Sequence, residues 1–221
     1  GLISPILANV YLHYVLDLWF EKCIKKQLYG EAYLVRFADD FLIMFQYESD
    51  AQRVYEAVIN RMELFGLELS KEKTRILPFG RYSVSRETFD FLGFTHFNSK
   101  TRKGYYTVGH KISRKKKKQF KSNLKKWVKE NRNTQFDEFM KTLNKKLTGS
   151  VNYYSLSGMI KEVRNLWQHS LYVTFKWLNR RSQRRSFKLE RFYEIWNDRI
   201  IHPYIHVDIW SGDKVIYNKN V

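Results

Sequence analysis

The sequence predicts an α+β architecture, an antiparallel sheet with packed helices followed by an all-α bundle of three helices, and three observations predict it. Between Tyr33 and Gln46, two aromatic and β-branched segments flank Ala38-Asp39-Asp40, the pattern of a tight hairpin. From Ser113 onward, apolar residues recur only at helical spacing. The charge is also partitioned. Residues 1–110 carry 14 Lys/Arg against 13 Asp/Glu, residues 111–191 carry 23 against 5, and residues 192–221 carry 3 against 4, so the helical segment holds the whole net charge of +18. A near-neutral half joined to a strongly basic one is the footprint of a nucleic-acid-binding module attached to another domain.

In chain order, Ser4-Pro5 reads as a helix start, with Ser as N-cap and Pro at the first helical position. Leu7, Val10, Tyr11, Tyr14 and Leu18 follow at helical spacing, and Gly30 closes the segment. This stripe is expected to be core beneath the hairpin, with His13 structural. Tyr33–Phe37 and Phe41–Phe45 are the hairpin strands and Ala38-Asp39-Asp40 the turn. Like charges this close raise each other's pKa, so adjacent aspartates on a rigid turn favour a hard cation. Mg²⁺ is the natural one, because it takes few protein oxygens and fills its remaining positions with water and substrate phosphate. The plainer alternative is a solvated hairpin tipped by turn-forming Asp; the apolar flanks, which imply buried strands aiming acids at a surface, weigh against it.

Ser49 to Gln52 has capping-box spacing, and Val54, Ala57, Val58, Met62 and Phe65 keep helical period until Gly66. Leu67-Glu68-Leu69 reads as a short strand. Phe89, Phe91 and Phe94 around Gly93 predict a tight aromatic hairpin. Asn98 to Gly104 reads as a connection, and the domain boundary is placed near Val108, giving domains 1–108 and 109–191 and a tail, 192–221.

In the basic segment, Phe120, Leu124, Trp127 and Val128 form one stripe, Phe136, Phe139, Met140, Leu143 and Leu147 a second, and Ile160, Val163, Trp167, Leu171 and Leu178 a third. Lys115, Lys116, Lys117 and Lys118, with Lys121, Lys125, Lys126 and Lys129, cover the first helix. A lysine run is ordinarily a solvated face, but one offset by so few acids repels itself unless a polyanion approaches. Arg180, Arg181, Arg184 and Arg185 form an arginine cluster, whose forked guanidinium groups suit phosphate. A single cysteine, Cys23, excludes an internal disulfide framework and a thiolate cluster, which suits a reducing, cytoplasmic setting. Nothing is apolar for long enough to span a bilayer, so no membrane association is expected.

Four motifs then carry a resemblance. Phe37-Ala38-Asp39-Asp40 resembles the Tyr/Phe-x-Asp-Asp palm motif of reverse transcriptases, and Gly1 to Leu12 resembles the segment after that family's Pro-Gln-Gly signature. Asp90-Phe-Leu-Gly-Phe94 resembles its primer grip, and Trp177-Leu-Asn-Arg-Arg-Ser-Gln-Arg-Arg-Ser its thumb and maturase region. Together, over residues 1 to about 190, they are similar to group II intron reverse transcriptases, or maturases. The resemblance implies a partial palm followed by a thumb bundle, and RNA-directed DNA polymerase activity with two Mg²⁺ ions. Asp39 becomes the direct metal ligand with Asp40 supporting it, Lys73 the cation beside the departing pyrophosphate, and Phe91, Leu92, Gly93 and Phe94 the primer grip. Gly149-Ser-Val-Asn-Tyr-Tyr, expected to interrupt the bundle between its second and third helices, resembles a thumb element beside the duplex. The implied partners are intron RNA as template and splicing substrate, a DNA primer or target, and deoxynucleotides, in a bacterial host. Family palms take another aspartate from an earlier strand and bind the nucleotide with fingers earlier still, so the chain is expected to be a fragment that does not polymerise alone. No endonuclease-like segment is seen. A non-catalytic RNA-binding splicing factor, and a reverse transcriptase of a defence or diversity-generating system, stay open as alternatives.

Overall fold

The computed structural model describes residues 3–70, 72–181, 186–205 and 207. Pro5 lies in the first turn of α1 (Ser4–Leu12), where Ile3 is the N-cap and no side chain caps the helix. Ser4 is therefore already helical. The helix continues through two π-helical turns, His13–Asp17 and Phe20–Ile24, and a 3-10 turn, Lys25–Gln27. These wider turns rotate the buried face away from a 3.6-residue period. Val15, Leu16, Phe20 and Ile24 form the core, whereas Leu7, Val10, Tyr11 and Tyr14 of the expected stripe are exposed and Leu18 is half-buried. α1 itself buries no residue, although Tyr11 lies edge-on to Phe65 at 6.4 Å and its hydroxyl donates to the Phe65 carbonyl at 2.7 Å.

β1 (Ala32–Phe37) and β2 (Asp40–Phe45) pair antiparallel with Phe37 opposite Asp40. The turn is therefore Ala38-Asp39 alone, and Asp40 begins β2. Alternation along β1 turns Ala32 and Leu34 to the core and Tyr33, Val35 and Phe37 outward. The inward face also carries Arg36. Its Nε and Nη2 donate to the two carboxylate oxygens of Asp17, each at 2.7 Å, fixing β1 to the first π-helical turn. The Arg36 guanidinium holds the Asp17 carboxyl below the usual carboxylate value.

α2 (Glu48–Leu64) packs Val54, Val58 and Met62 under the hairpin. It begins at Glu48 after Tyr47, so Ser49 sits inside the first turn and the expected capping box does not form; Gln52 bonds Glu48 instead. Asp50 is buried and accepts from the backbone N–H groups of Tyr29 and Gly30, both at 3.0 Å, setting the turn that leads into β1. Gly66, at φ 67°, ends α2, with the Leu67 N–H reaching back to the Met62 carbonyl at 2.8 Å. Leu67 to Leu69 form no strand; both leucines pack on the α2 core without a partner strand to ladder with.

β3 (Thr88–Phe91), β4 (Phe94–Lys100) and β5 (Tyr106–Ile112) form a separate three-stranded antiparallel meander. The expected connection at Asn98–Gly104 is instead the end of β4 and the tight turn into β5, closed by the Gly104 N–H on the Thr101 carbonyl. Val108, where the domain boundary is expected, lies within β5. Ser113 then caps α3 (Arg114–Asn131), accepting from the Lys116 N–H.

α3 is followed by α4 (Phe136–Tyr154), α5 (Ile160–Leu178) and α6 (Leu189–Arg199). α4 runs unbroken through Gly149. A helical glycine costs about 1 kcal/mol, which the burial of Leu147 and Val151 on either side offsets. The expected interruption falls only at Ser155. α6 adds a fourth helix to the expected three, using residues assigned to the tail. Phe192 and Trp196 are fully buried among Leu143, Val173 and Leu178, and Arg199 pairs with Asp137 of α4.

Two outcomes follow from this packing. Trp196→Ala is expected to destabilise the bundle by about 3–5 kcal/mol, read as a lowered urea midpoint, while Ala at the exposed Asp198 shifts it by no more than about 0.5 kcal/mol. The Asp17 carboxyl is depressed on folding, so its stabilisation is fully present above the unfolded value of about 3.9 and is lost as pH falls through the lower folded value. Denaturant midpoints of wild type and Asp17→Asn are therefore expected to differ at pH 7 and to converge in acid.

Candidate carboxylate site and nucleic-acid interface

The tip of the first hairpin is exposed at Ala38, Asp39 and Asp40. Ala38 has φ 54°, a left-handed conformation unusual for a residue with a Cβ. Its carbonyl oxygen accepts from Arg36 Nη1 at 2.9 Å, and the same nitrogen donates to Asn9 Oδ1 at 2.9 Å. Asp39 and Asp40 offer adjacent oxygen donors suited to a hard divalent cation. Among the described residues no group of three or more His, Cys, Asp or Glu side chains gathers that could hold a metal ion, so these two aspartates alone do not complete a ligand set.

The second wall is built on the β3–β4 hairpin. Phe91 pairs with Phe94, leaving Leu92-Gly93 as a two-residue turn with φ 49° and 82°, the left-handed pair of a type I′ hairpin. Both carbonyls of this turn are taken by the helical half of the chain. The Ser113 N–H donates to Gly93 at 3.0 Å, and the Tyr153 hydroxyl donates to Leu92 at 2.7 Å. Phe94 stacks on Tyr153 at 5.6 Å and meets the edge of Tyr154 at 5.5 Å. Burial and the neighbouring Tyr153 push the Tyr154 hydroxyl pKa upward, so it stays protonated.

These parts enclose one open cleft of about 320 Å³. Phe37 to Asp40 line one side, and Leu92, Gly93, Lys116, Tyr153 and Tyr154 the other. Two carboxylates thus face an ammonium, two tyrosines and a glycine turn, a mixture able to hold a phosphate-bearing chain at its cation-carrying wall.

The predicted residues divide accordingly. Asp39, Asp40, Leu92, Gly93 and Lys116 share the cleft, while Phe91 and Phe94 support the turn. Lys73 lies exposed on the turn after Ser70 and does not line the cleft. Lys115, Lys118, Lys121 and Lys125 are exposed along α3. Lys117 differs, turning toward α5 to pair with Glu162 at 2.6 Å. Arg180 lies over Trp177 at 5.4 Å, in company with Lys129 at 5.8 Å and Arg132 at 5.6 Å. Arg181 is half-buried, its Nε and Nη2 have no partner among the described residues, and burial lowers its pKa. It is turned inward rather than offered to phosphate. Arg184 and Arg185 lie outside the described residues.

Sequence reasoning passed over Arg36, Asp17 and Asn9. The available signal was an arginine at an inward position of a strand, which demands a buried counter-ion.

Among the described residues no helix is long and apolar enough to cross a membrane. No curated relative matches the chain. Residues 1–96 match the family model for reverse transcriptase (RNA-dependent DNA polymerase), and residues 117–194 match the model for the group II intron, maturase-specific domain. The two matches follow one another in the order of the carboxylate hairpin and the basic bundle, and on them the chain belongs to the group II intron reverse transcriptases/maturases.

Proposed function

We propose that this chain supplies the carboxylate tip and the duplex-facing arm of an RNA-directed DNA polymerase encoded by a group II intron, and that its basic helices also bind intron RNA to assist splicing and mobility. The observation that carries the reading is the single cleft shared by Asp39, Asp40, the Leu92-Gly93 turn, Lys116 and Tyr153-Tyr154. In this reading residues 1–108 belong to the palm and 109–191 to the thumb and maturase arm, which α6 extends into 192–221.

Asp39 and Asp40 would hold Mg²⁺, Asp39 as the direct ligand, with a further carboxylate from outside the described residues. When bound, such ions supply activation of the primer hydroxyl and charge stabilisation at the leaving oxygen. The residues of the chain do the positioning. The Leu92-Gly93 turn, where Lys116 and Tyr154 pack beside the bare Cα of Gly93, presents the grip wall to a primer strand. Lys116, on the same wall as that turn and across from Asp39 and Asp40, meets the phosphate charge, and the exposed lysines of α3 continue that contact away from the cleft. Lys73 has no part in this arrangement as it stands, and its assignment beside pyrophosphate rests on the family resemblance alone.

The decisive experiment is primer extension on an RNA template by the polymerase containing these residues. Asp39→Ala is expected to lower the rate by at least roughly a hundredfold with RNA affinity unchanged. Extension that survives the substitution removes Asp39 from the chemistry, whereas RNA binding without any extension by the wild type or the variant assigns the fold to a non-catalytic splicing factor instead. For the arm, neutralising about six phosphates predicts a slope near −5 in log affinity against log salt. Gln at Lys115, Lys118, Lys121 and Lys125 together is expected to flatten that slope, whereas Lys117→Gln, removing a cation already paired with Glu162, leaves it nearly unchanged.

A further inference from the structure

We propose that Arg36 is the positioning residue of the carboxylate tip: anchored by Asp17 and Asn9, it holds the Ala38 carbonyl and thereby sets where Asp39 and Asp40 stand. The inference rests on the reading of those two aspartates as metal-holding.

Arg36 does not line the cleft, so whatever it does there it does through another group. That group is the peptide between Ala38 and Asp39. Its oxygen is gripped at 2.9 Å, and because a peptide is planar, holding the oxygen fixes the plane from which the Asp39 Cα departs. The peptide needs holding. Ala38 sits at φ 54°, where a residue with a Cβ is disfavoured, and the two-residue loop offers no other described bond to that carbonyl.

The grip is itself held from two further segments. Asp17 takes Nε and Nη2 side-on at 2.7 Å each, the geometry that locks a guanidinium plane. Asn9 takes Nη1 at 2.9 Å, and its own amide nitrogen donates to the Pro5 carbonyl at 3.2 Å, which turns its oxygen toward Arg36. The Arg36 side chain is only 13% exposed. His13, on α1's continuation, also meets Asp17, at 3.3 Å, and leaves the bidentate contact intact.

Charge points the same way. An unpaired cation beside metal-holding carboxylates competes with the metal. Here the Arg36 charge is matched by Asp17, so the guanidinium positions the tip without neutralising it.

The test is primer extension as a function of divalent-ion concentration, with thermal midpoints measured alongside, for wild type, Asp39→Ala, Arg36→Lys and Asp17→Asn. A lysine can keep the ion pair with Asp17 but cannot fork to Ala38 as well. Arg36→Lys is expected to lower kcat roughly ten- to a hundredfold and to raise the half-saturating Mg²⁺ concentration, with KM for deoxynucleotide unchanged. Asp17→Asn, which loosens the anchor and spares the grip, is expected to fall between it and wild type. Wild-type kcat and Mg²⁺ dependence in both folded variants, with Asp39→Ala inactive, overturn the inference and leave the polymerase reading standing. If Arg36→Lys does not fold, Asp17→Asn decides alone by the same two readouts. An active Asp39→Ala variant sinks both.

Discussion

The Leu92-Gly93 turn is the constraint on which the rest of the molecule depends, because it is where the helical half is fastened to the sheet. Both of its carbonyls are taken by the basic half, Gly93 by the Ser113 amide and Leu92 by the Tyr153 hydroxyl. Ser113 also caps α3, so the residue that starts the lysine-bearing helix is the one that ties it down. Phe94 between Tyr153 and Tyr154 closes the joint. Remove these contacts and Lys116 has no reason to face Asp39 and Asp40; with them, charge and carboxylates stand on two walls of one cleft.

The bundle shows how a protein tolerates an excess of 23 basic residues over 5 acidic ones in 81 residues. Its interior is largely apolar, with Leu143, Leu178, Phe192 and Trp196 inaccessible to water beside the buried Ser170 and Thr174 of α5, and that burial is what the surface repulsion works against. The repulsion is relieved locally in two ways. Lys117 spends its charge on Glu162. Lys129, Arg132 and Arg180 gather round the ring of Trp177, whose face is electron-rich. The remaining α3 lysines have no such relief among the described residues, and a polyanion laid along them would provide it.

How much of this was legible in the sequence depended on how local each signal was. The Asp39-Asp40 tip, the Phe91–Phe94 hairpin and α3 to α5 were readable because period-2 and period-3.6 patterns are carried by neighbouring residues. α1's buried face was not, since π-helical turns at His13 and Phe20 displace it and nothing in the composition marks a wide turn. α6 escaped because its 11 residues straddle Arg191, beyond which the motifs fade and the sequence reads as a tail, although Phe192 and Trp196, four apart, mark an apolar face. Gly149 suggested a break that packing overrode, and Leu67 to Leu69 had strand composition without a partner strand. Of the residues that line the cleft, Asp39, Asp40 and the Leu92-Gly93 turn were visible as motifs. Lys117's inward turn toward Glu162 was not, because the residues that meet there are 45 positions apart and no spacing rule connects them.

The two walls of the cleft share a design that neither motif reveals alone. Each is a two-residue turn containing a residue with a side chain at positive φ, Ala38 in one and Leu92 in the other. In each case the carbonyl of that same residue accepts from a side chain rooted elsewhere, Arg36 for Ala38 and Tyr153 for Leu92. A turn left to itself would use glycine at such a position and need no external donor. Here the unfavoured conformation is held by tertiary structure, so the positions of the carboxylates and of the grip depend on the packing of α1, α4 and β1 being complete. Both walls are thereby coupled to the folded core rather than to local turn preference, so the separation between them is set by tertiary packing.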